Sequence, residues 1–362
     1  MMNKTAFSMD ELEVVGNYKE QLSGKEYIKL NTPITPKENY LRAIRHENPL
    51  WIPLKSDEFM FCPRIIPDNI ARAWVLEKNK YEGPVGGLDM FGIDWEFVPA
   101  VGGSMVRPGS CALPDLTKWR EIIRVPDVDS WDWEGCAAEN AEFVKACDQY
   151  VVSWMFTGMF ERLISFMDFE EALVALIDED LEDDLNDIFQ MITDVNIKII
   201  RNLKKYFAID AILFHDDWGG QKAPFFSVDT CREKIAPFIK QIVDVCHELG
   251  LIFDFHSCGK IDQLVPIMIE CGVDKWGGQP INDKANIART YGDKLIVGST
   301  DTLSPGPKGS AVTAEELADK VEAYIQEYTG GDKTKLFSIL NRGANNEVIK
   351  AFYIAGRKFL SE

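Results

Sequence analysis

The middle of the chain carries apolar residues at helical spacing. Steps of three and four residues predict one long amphipathic helix through Leu181, Leu185, Ile188, Ile192, Val195 and Ile199. Short apolar runs predict buried strands at 150–157, 208–214, 251–257, 295–298 and 336–340. Further helical patterns predict helices at 229–249, 261–271, 314–328 and 345–360. Strands that alternate with helices form parallel sheets covered by helices, so the pattern predicts an α/β fold.

The number of strand–helix units and the length of 362 residues favour one particular α/β architecture. Both suit a closed (β/α)8 TIM barrel better than an open, doubly wound sheet. A dinucleotide-binding sheet is not supported, because no Gly-x-Gly-x-x-Gly follows an early strand. We therefore predict a TIM barrel.

The N-terminal part of the sequence is less regular. Residues 1–30 are polar with a helical pattern, which predicts a peripheral N-terminal helical extension ahead of a barrel domain over 31–362. Thr35 and Pro36 predict the start of a helix that runs over 39–46.

A strand is predicted next, over 51–54. Residues 55–135 are rich in proline, glycine and aromatic residues and weakly periodic. This composition predicts long loops over the mouth of the barrel, and such loops are usually functional.

The net charge and the cysteines limit the classes of partner and the cellular compartment that we expect. The formal net charge of −19 repels phosphate backbones and anionic lipid, so we expect neither nucleic-acid nor membrane binding. The first 24 residues lack a secretory pattern, and no apolar run reaches the ~18 residues of a membrane span. We expect a cytoplasmic protein with reduced cysteines. The sequence does not decide whether it is a homodimer.

The first candidate site lies at the end of the predicted strand 251–257. His256 and Cys258 are two residues apart, as are Asp254 and His256, so these side chains share one face of the strand. An imidazole and a thiolate side by side are two of the ligands that zinc needs. The alternative is a packed histidine beside a buried cysteine.

Ionisable residues also follow the predicted strand 208–214. His215 and Asp217 share one face, whereas Asp216 takes the other, and Trp218 comes next. His215 and Asp217 are candidates for a third metal ligand or a general base, and Asp216 and Trp218 for substrate binding. A helix cap or a loop salt bridge is the alternative for the two aspartates.

A third candidate follows the predicted strand 150–157. Gly158 turns the chain, and Glu161 then lies in the first turn of a helix, where its carboxylate can reach a metal or act as a catalytic acid. The alternative is that Glu161 stabilises this helix and pairs with Arg162.

Residues in two more stretches of the chain can contact a substrate. Asp94 and Trp95 lie in an aromatic stretch before a flexible, lid-like segment at 102–108, although an ordinary hairpin fits as well. Arg342 follows the last predicted strand, where it can hold a substrate anion or pair with a surface carboxylate.

These motifs resemble the uroporphyrinogen-decarboxylase-like superfamily over nearly the whole chain. The resemblance is carried by Pro36 to Ala43, Phe91 to Pro108, Gly158 to Arg162, His215 to Gly219 and His256 to Gly259. Within the superfamily the chain looks like the cobamide-dependent methyltransferase branch. That resemblance implies the barrel fold, a zinc ion bound by His256, Cys258 and a further ligand, and a separate corrinoid-binding protein as partner.

Several positions depart from the decarboxylases. Asp94 stands five residues before Pro99, where their catalytic aspartate is found, but their arginine-rich N-terminal segment is absent. Phe166 replaces their active-site tyrosine and Arg342 their late histidine. The resemblance therefore does not imply decarboxylation of a porphyrinogen.

Arg342 also stands where the thiol-methylating relatives have a late cysteine ligand. The third ligand must then come from Glu161, Asp217 or His215, which suggests an O-demethylase type. We therefore predict that the enzyme moves a methyl group from a small donor to cobalamin on the partner. Aromatic residues near 91–97 and Trp218 favour an aromatic methyl ether as donor.

Three other functions stay open at this stage. The first is a metal-independent decarboxylase or other lyase that uses Asp94. The second is a methylcobalamin-to-acceptor methyltransferase, and the third is a barrel that only binds a partner.

Overall fold

The structure is a computed structural model that describes residues 6–21, 24–100, 102–107, 109–299, 313–339 and 345–361. Its strands are β1 (Val14–Lys19), β2 (Glu26–Leu30), β3 (Glu58–Met60), β4 (Gly87–Leu88), β5 (Asp94–Val98), β6 (Gly103–Val106), β7 (Tyr150–Met155), β8 (Ala211–His215), β9 (Ile252–Ser257), β10 (Lys275–Gly278), β11 (Ile296–Ser299) and β12 (Phe337–Ile339). Its helices are α1 (Pro36–Ile44), α2 (Pro67–Ala71), α3 (Trp119–Ile122), α4 (Trp133–Lys145), α5 (Met159–Phe166), α6 (Phe169–Ala175), α7 (Glu182–Tyr206), α8 (Val228–Thr230), α9 (Ala236–Glu248), α10 (Val265–Cys271), α11 (Lys284–Tyr291), α12 (Ala314–Thr329) and α13 (Asn346–Ser361).

The chain has the predicted α/β fold class of the TIM barrels, because parallel strands alternate with helices. The chain divides into two compact units. One comprises residues 60–146 and 152–273, and the other 1–59, 147–151 and 274–362. In the described part of the chain, no helix is both long and apolar enough to cross a membrane.

The first unit contains three adjacent parallel strands. β7 pairs with β8, and β8 pairs with β9. All six residues of β7 are buried, which explains why its sequence is a continuous apolar run and not an alternating one. The predicted amphipathic helix is α7, which buries the predicted apolar positions from Leu185 to Ile199, whereas Leu181 lies in the 3-10 turn before it and is not buried. Its first turn holds Glu182, Asp183 and Asp184, which favour the positive end of the helix dipole.

The second unit contains the parallel strands β10, β11 and β12. The helix predicted after Thr35 is α1, and the Thr35 side chain accepts a hydrogen bond from the Glu38 amide as a cap. Buried Glu11 accepts hydrogen bonds from Tyr353 and Arg357 of α13, so the N-terminal segment is fixed to the last helix.

The predicted N-terminal helical extension is wrong. β1 and β2 form an antiparallel hairpin, preceded by a single 3-10 turn at Met9–Leu12. Valine and tyrosine residues favour strands, and Gly24 has a φ of 71° in the turn. The polar composition concealed this hairpin, because β1 is largely exposed.

Other boundaries also differ. The strand predicted at 51–54 is reduced to an isolated bridge from Leu54 to Ile339, and β3 begins only at Glu58. The region 55–135 contains a small antiparallel sheet of β4, β5 and β6 besides loops. β10 and α11 have no counterpart among the predicted elements, because β10 is a four-residue run that contains two glycines and a lysine.

Candidate metal centre

The two predicted histidine motifs lie side by side at the carboxyl ends of β8 and β9. The strands pair in parallel with His215 opposite His256. Because side chains alternate along a strand, Asp217 and Cys258 continue the same face two residues further on. The carboxyl ends of the strands are where TIM-barrel enzymes have their active sites.

Four side chains converge there, and we call them the four-residue cluster. The ligand-type atoms of His215, Asp217, His256 and Cys258 all lie within 4.8 Å of one another. His215 Nε2 is 2.9 Å from Asp217 Oδ1, and Cys258 Sγ is 3.5 Å from His256 Nε2. The predicted same-face arrangement of both pairs is therefore confirmed.

The backbone after β9 fixes the cluster. The Cys258 amide donates a hydrogen bond of 2.6 Å to Asp217 Oδ1, which joins the two strand ends. Gly259 has a φ of 95°, and a Cβ atom there would lie 2.2 Å from the backbone of Gly219. Only glycine permits this sharp turn and close approach.

Glu161, in the first turn of α5, lies directly beside the cluster. Its Oε2 atom is 3.8 Å from His215 Nε2, and its Oε1 atom is 3.7 Å from the Arg72 guanidinium. Glu161 Oε2 and His215 Nδ1 are buried and have no hydrogen-bond partner among the described residues. The region around His215 thus holds polar atoms whose hydrogen-bonding capacity is not used.

Burial and neighbouring charges shift the pKa values of these groups in different directions. Burial raises the pKa of Glu161, although His215 and Arg72 oppose this shift. Burial opposes protonation of His215, but the carboxylates of Glu161 and Asp217 raise its pKa overall. Burial would also raise the pKa of Asp217, but its hydrogen bond to His215 holds that pKa far below the usual range. The contact between Asp217 and His215 thus lowers the pKa of the carboxyl group and raises that of the imidazole.

Asp216 and Trp218 lie behind this face in the packing. Asp216 accepts hydrogen bonds from the Phe160 and Glu161 amides at the start of α5 and from the Trp218 indole. Burial raises the pKa of Asp216 to about 7, against these hydrogen bonds. A Cβ atom at Gly158 would lie 2.4 Å from the Asp216 side chain. The helix-cap alternative for Asp216 is thus what the structure contains, and substrate contacts of Asp216 and Trp218 stay predictions.

The remaining predicted residues lie elsewhere. Asp94 is not in the four-residue cluster but pairs with Arg107 at 2.8 Å across the antiparallel hairpin of β5 and β6. Trp95 is buried, and the Arg72 guanidinium stacks on its ring at 4.7 Å. Trp95 is therefore connected to the cluster through Arg72 and Glu161. Arg342 lies outside the described residues.

The structure adds residues that the sequence analysis missed. The Trp154 ring lies 5.8 Å from the His215 ring and 6.4 Å from the His256 ring, and Trp74 packs on Trp154. Trp154 could have been found from its position near the end of β7. Arg72 and Trp74 lie in the aperiodic region 55–135, where no sequence signal marked them.

Arg162, unlike its neighbour Glu161, is held by close ion pairs. It is fully buried and forms ion pairs with Asp68 and Asp89. The alternative that Glu161 pairs with Arg162 is not what the structure contains, because Arg162 is held by these two aspartates. This network connects α5 to the segment that carries Arg72.

Comparisons with known proteins place the fold but not a family. No protein-family model matches the chain, and no curated protein matches it. Among solved structures, a methyltransferase from Methanosarcina mazei is similar over 91% of this chain and 100% of its own, with a TM-score of 0.59 and 15% identity. At that identity the similarity shows the fold alone.

Two other solved structures align over shorter parts. An endo-β-1,4-xylanase from Gloeophyllum trabeum covers 65% of this chain and 82% of its own at 12% identity, with a TM-score of 0.36. The 3-keto-D-glucoside 4-epimerase from E. coli covers 70% and 95% at 12% identity, with a TM-score of 0.34. At such scores they carry no functional information about this chain.

Proposed function

We propose that the protein is a zinc-dependent methyltransferase that moves a methyl group from an aromatic methyl ether to the corrinoid of a partner protein. The four-residue cluster is the observation that carries this proposal. The Methanosarcina mazei structure, which shares the fold, is described as a methyltransferase, and this supports methyl transfer as the reaction class.

The chemistry of the cluster suits zinc. Nitrogen, sulfur and carboxylate oxygen are the ligands that zinc takes in proteins, and a catalytic site uses three of them and leaves one position open. His256 and Cys258 would hold the metal together with His215 or Asp217. The buried His215 Nδ1 atom, which has no partner among the described residues, fits a site that a ligand completes.

The surrounding residues would orient the ligands. Asp217 Oδ1 and Glu161 Oε2 both lie beside His215 Nε2, at 2.9 and 3.8 Å. A carboxylate that hydrogen-bonds to an imidazole, as Asp217 does, fixes its orientation and raises its basicity as a ligand. Arg72 in turn pairs with Glu161 and stacks on Trp95. Arg72, Glu161 and Trp95 are therefore proposed as positioning residues.

The proposed transfer breaks the bond between the methyl carbon and the ether oxygen. The oxygen keeps the bonding electron pair and takes a proton from solvent to become a phenol. The cob(I)alamin of the partner supplies the electron pair for the new cobalt–carbon bond. When bound, zinc supplies the Lewis acidity that stabilises the negative charge on the leaving oxygen.

The test combines metal analysis with a methyl-transfer assay. We expect about one zinc per anaerobically purified chain, and loss of cob(I)alamin absorbance when enzyme, reduced corrinoid protein and methoxylated aromatics are mixed. His256→Ala and Cys258→Ala should lower metal content and transfer by more than about 100-fold, because even outer partners of metal ligands contribute 10–100-fold. Cys136→Ala, at a cysteine of similar exposure on α4, is the matched control and should change neither.

Two results would contradict the proposal. If the protein takes up no transition metal even when zinc is added, the metal site is wrong. If cob(I)alamin is methylated from methylamines or thiols but from no ether, the donor is wrong and the reaction class stands.

A further inference from the structure

The face that carries the four-residue cluster continues onto β7. Trp154 lies opposite Leu213 in the register, and Leu213 lies opposite Asp254. Because side chains alternate, Trp154 and Phe156 share the face of His215 and His256. This face is therefore ionisable on β8 and β9 and aromatic on β7.

Three rings form what we call the aromatic wall: Trp74, Trp154 and Phe156. Trp154 and Phe156 stack with their centroids 4.4 Å apart. Trp74 packs against Trp154 at 4.7 Å and against Phe156 at 5.5 Å. Such offset and edge contacts hold rings in fixed orientations, so the wall is a preformed surface.

The wall keeps an accessible side. Trp154 and Phe156 are buried, whereas Trp74 and the neighbouring Met60 and Leu213 are only partly buried. Trp74 follows Ala73, which has a φ of 67°, a conformation that residues with a side chain rarely adopt. Strain of this kind is tolerated where the surroundings fix a residue in one position, and it is often found at binding sites.

Trp154, whose ring lies near the cluster, also carries an unused hydrogen-bond donor. Its side chain is 7% exposed, and its Nε1 atom has no hydrogen-bond partner among the described residues. A buried indole N–H without a partner is energetically unfavourable, so a ligand oxygen that accepts from it would be favoured. The Trp154 ring is within 6.4 Å of both imidazole rings of the cluster.

From this arrangement we infer that the aromatic wall binds the ring of the methyl donor and that the Trp154 indole N–H donates a hydrogen bond to an oxygen of that donor. The inference rests on the proposed function for the identity of the ligand as a donor. It assigns the preference for planar methoxylated benzenes over small aliphatic donors to Trp74, Trp154 and Phe156.

The test measures binding separately from turnover. 2-Methoxyphenol is titrated by calorimetry into the zinc-loaded protein, with no corrinoid protein present, and methanol is the comparison ligand. We expect saturable binding of 2-methoxyphenol and none of methanol. Trp154→Phe keeps a ring but removes the N–H, and it should weaken binding about five- to tenfold, the value of one hydrogen bond. Trp74→Ala should weaken it by more than about tenfold, because a stacking ring is lost.

A second tryptophan provides the matched control. Trp119 on α3 also has a buried Nε1 atom without a partner among the described residues, but it packs against Arg120 and not on the wall. Trp119→Phe should leave the affinity unchanged. Unchanged affinity in both wall variants, or an equal loss in Trp119→Phe, would overturn the inference.

The two proposals can fail independently. If 2-methoxyphenol does not bind while cob(I)alamin is methylated from methanol or a methylamine, the wall inference is overturned and methyl transfer stands. If 2-methoxyphenol binds and the wall variants weaken it, but no donor methylates cob(I)alamin, the wall inference stands and the methyltransferase proposal is overturned.

Discussion

Two buried glutamates show how differently this chain treats buried charge. Glu58, at the start of β3, accepts a hydrogen bond from Tyr40 at 2.5 Å and pairs with Lys55 at 2.7 Å and Lys275 at 2.8 Å. Glu161 has only Arg72 at 3.7 Å and His215 at 3.8 Å, and its Oε2 atom has no hydrogen-bond partner among the described residues.

The pKa shifts follow this difference. Burial would raise the pKa of both carboxyl groups. For Glu58 the two lysines reverse the effect and hold its pKa far below the ordinary value, whereas for Glu161 burial prevails. A buried carboxylate with close, complete partners is costly to deprive of one of them, whereas one with loose partners remains able to interact with a ligand.

The largest effect is expected where the partners of Glu58 are removed. Lys275→Met leaves part of a buried negative charge uncompensated, so the free energy of unfolding should fall by ~3–5 kcal/mol in chemical denaturation. The control is Lys240→Met in the exposed pair with Asp244, where the loss should stay below ~1 kcal/mol. Equal losses in the two variants would show that the Glu58 cluster has no special role in stability.

The opposite result is expected at Glu161. Glu161→Gln should weaken zinc binding by about 10–100-fold, because a carboxylate beside His215, a proposed zinc ligand, is lost. The free energy of unfolding should not fall, since burial already disfavours the charged form that the substitution removes. Glu171→Gln, at an exposed position of α6, is the control for both measurements. A destabilised variant with normal zinc affinity would place Glu161 with Glu58 as a structural residue.

The acid side of the stability curve sharpens the comparison. The pKa of Glu58 is lowered in the folded state, so its contribution is complete above the unfolded pKa of about 4.3 and is lost as the pH falls below it. Below pH 4 the wild type should lose up to ~1.4 kcal/mol per pH unit from this group. Lys275→Met should weaken the shift in the pKa of Glu58. Its free energy of unfolding, measured by denaturation between pH 3 and 6, should therefore change less steeply with pH than that of the wild type. Parallel slopes would mean that Lys275 does not lower this pKa.

The smallest effect is expected at Asp94. Its pair with Arg107 is largely exposed, so Asp94→Asn should change the free energy of unfolding by less than ~0.5 kcal/mol. Methyl transfer should also be unchanged, because Asp94 is not part of the four-residue cluster. A large loss of methyl transfer in this variant would contradict the placement of Asp94 outside the active site.

The sequence predicted the cluster better than its surroundings. His215, Asp217, His256 and Cys258 could be placed on common faces because each pair is two residues apart at the end of a strand. The parallel pairing of β8 with β9 then brings the His215–Asp217 pair next to the His256–Cys258 pair, with His215 opposite His256. Asp94 looked equivalent in sequence, but it lies in a hairpin whose pairing partner could not be identified from periodicity.

Local patterns by themselves determined the strands β7, β8, β9, β11 and β12, the long helix α7 and the residues at the strand ends, because each depends on spacing within a few residues. Tertiary structure alone decided that Arg72 holds Glu161 and that Trp74 packs on Trp154. In each contact, a residue of the aperiodic segment 55–135 meets a residue about 80–90 positions later in the chain. In that segment no repeat indicates which face is buried. Tertiary structure also decided that Glu58 is fully paired and Glu161 is not. The distance between an acid and its basic partners depends on how separate elements pack, and not on the residues that flank the acid.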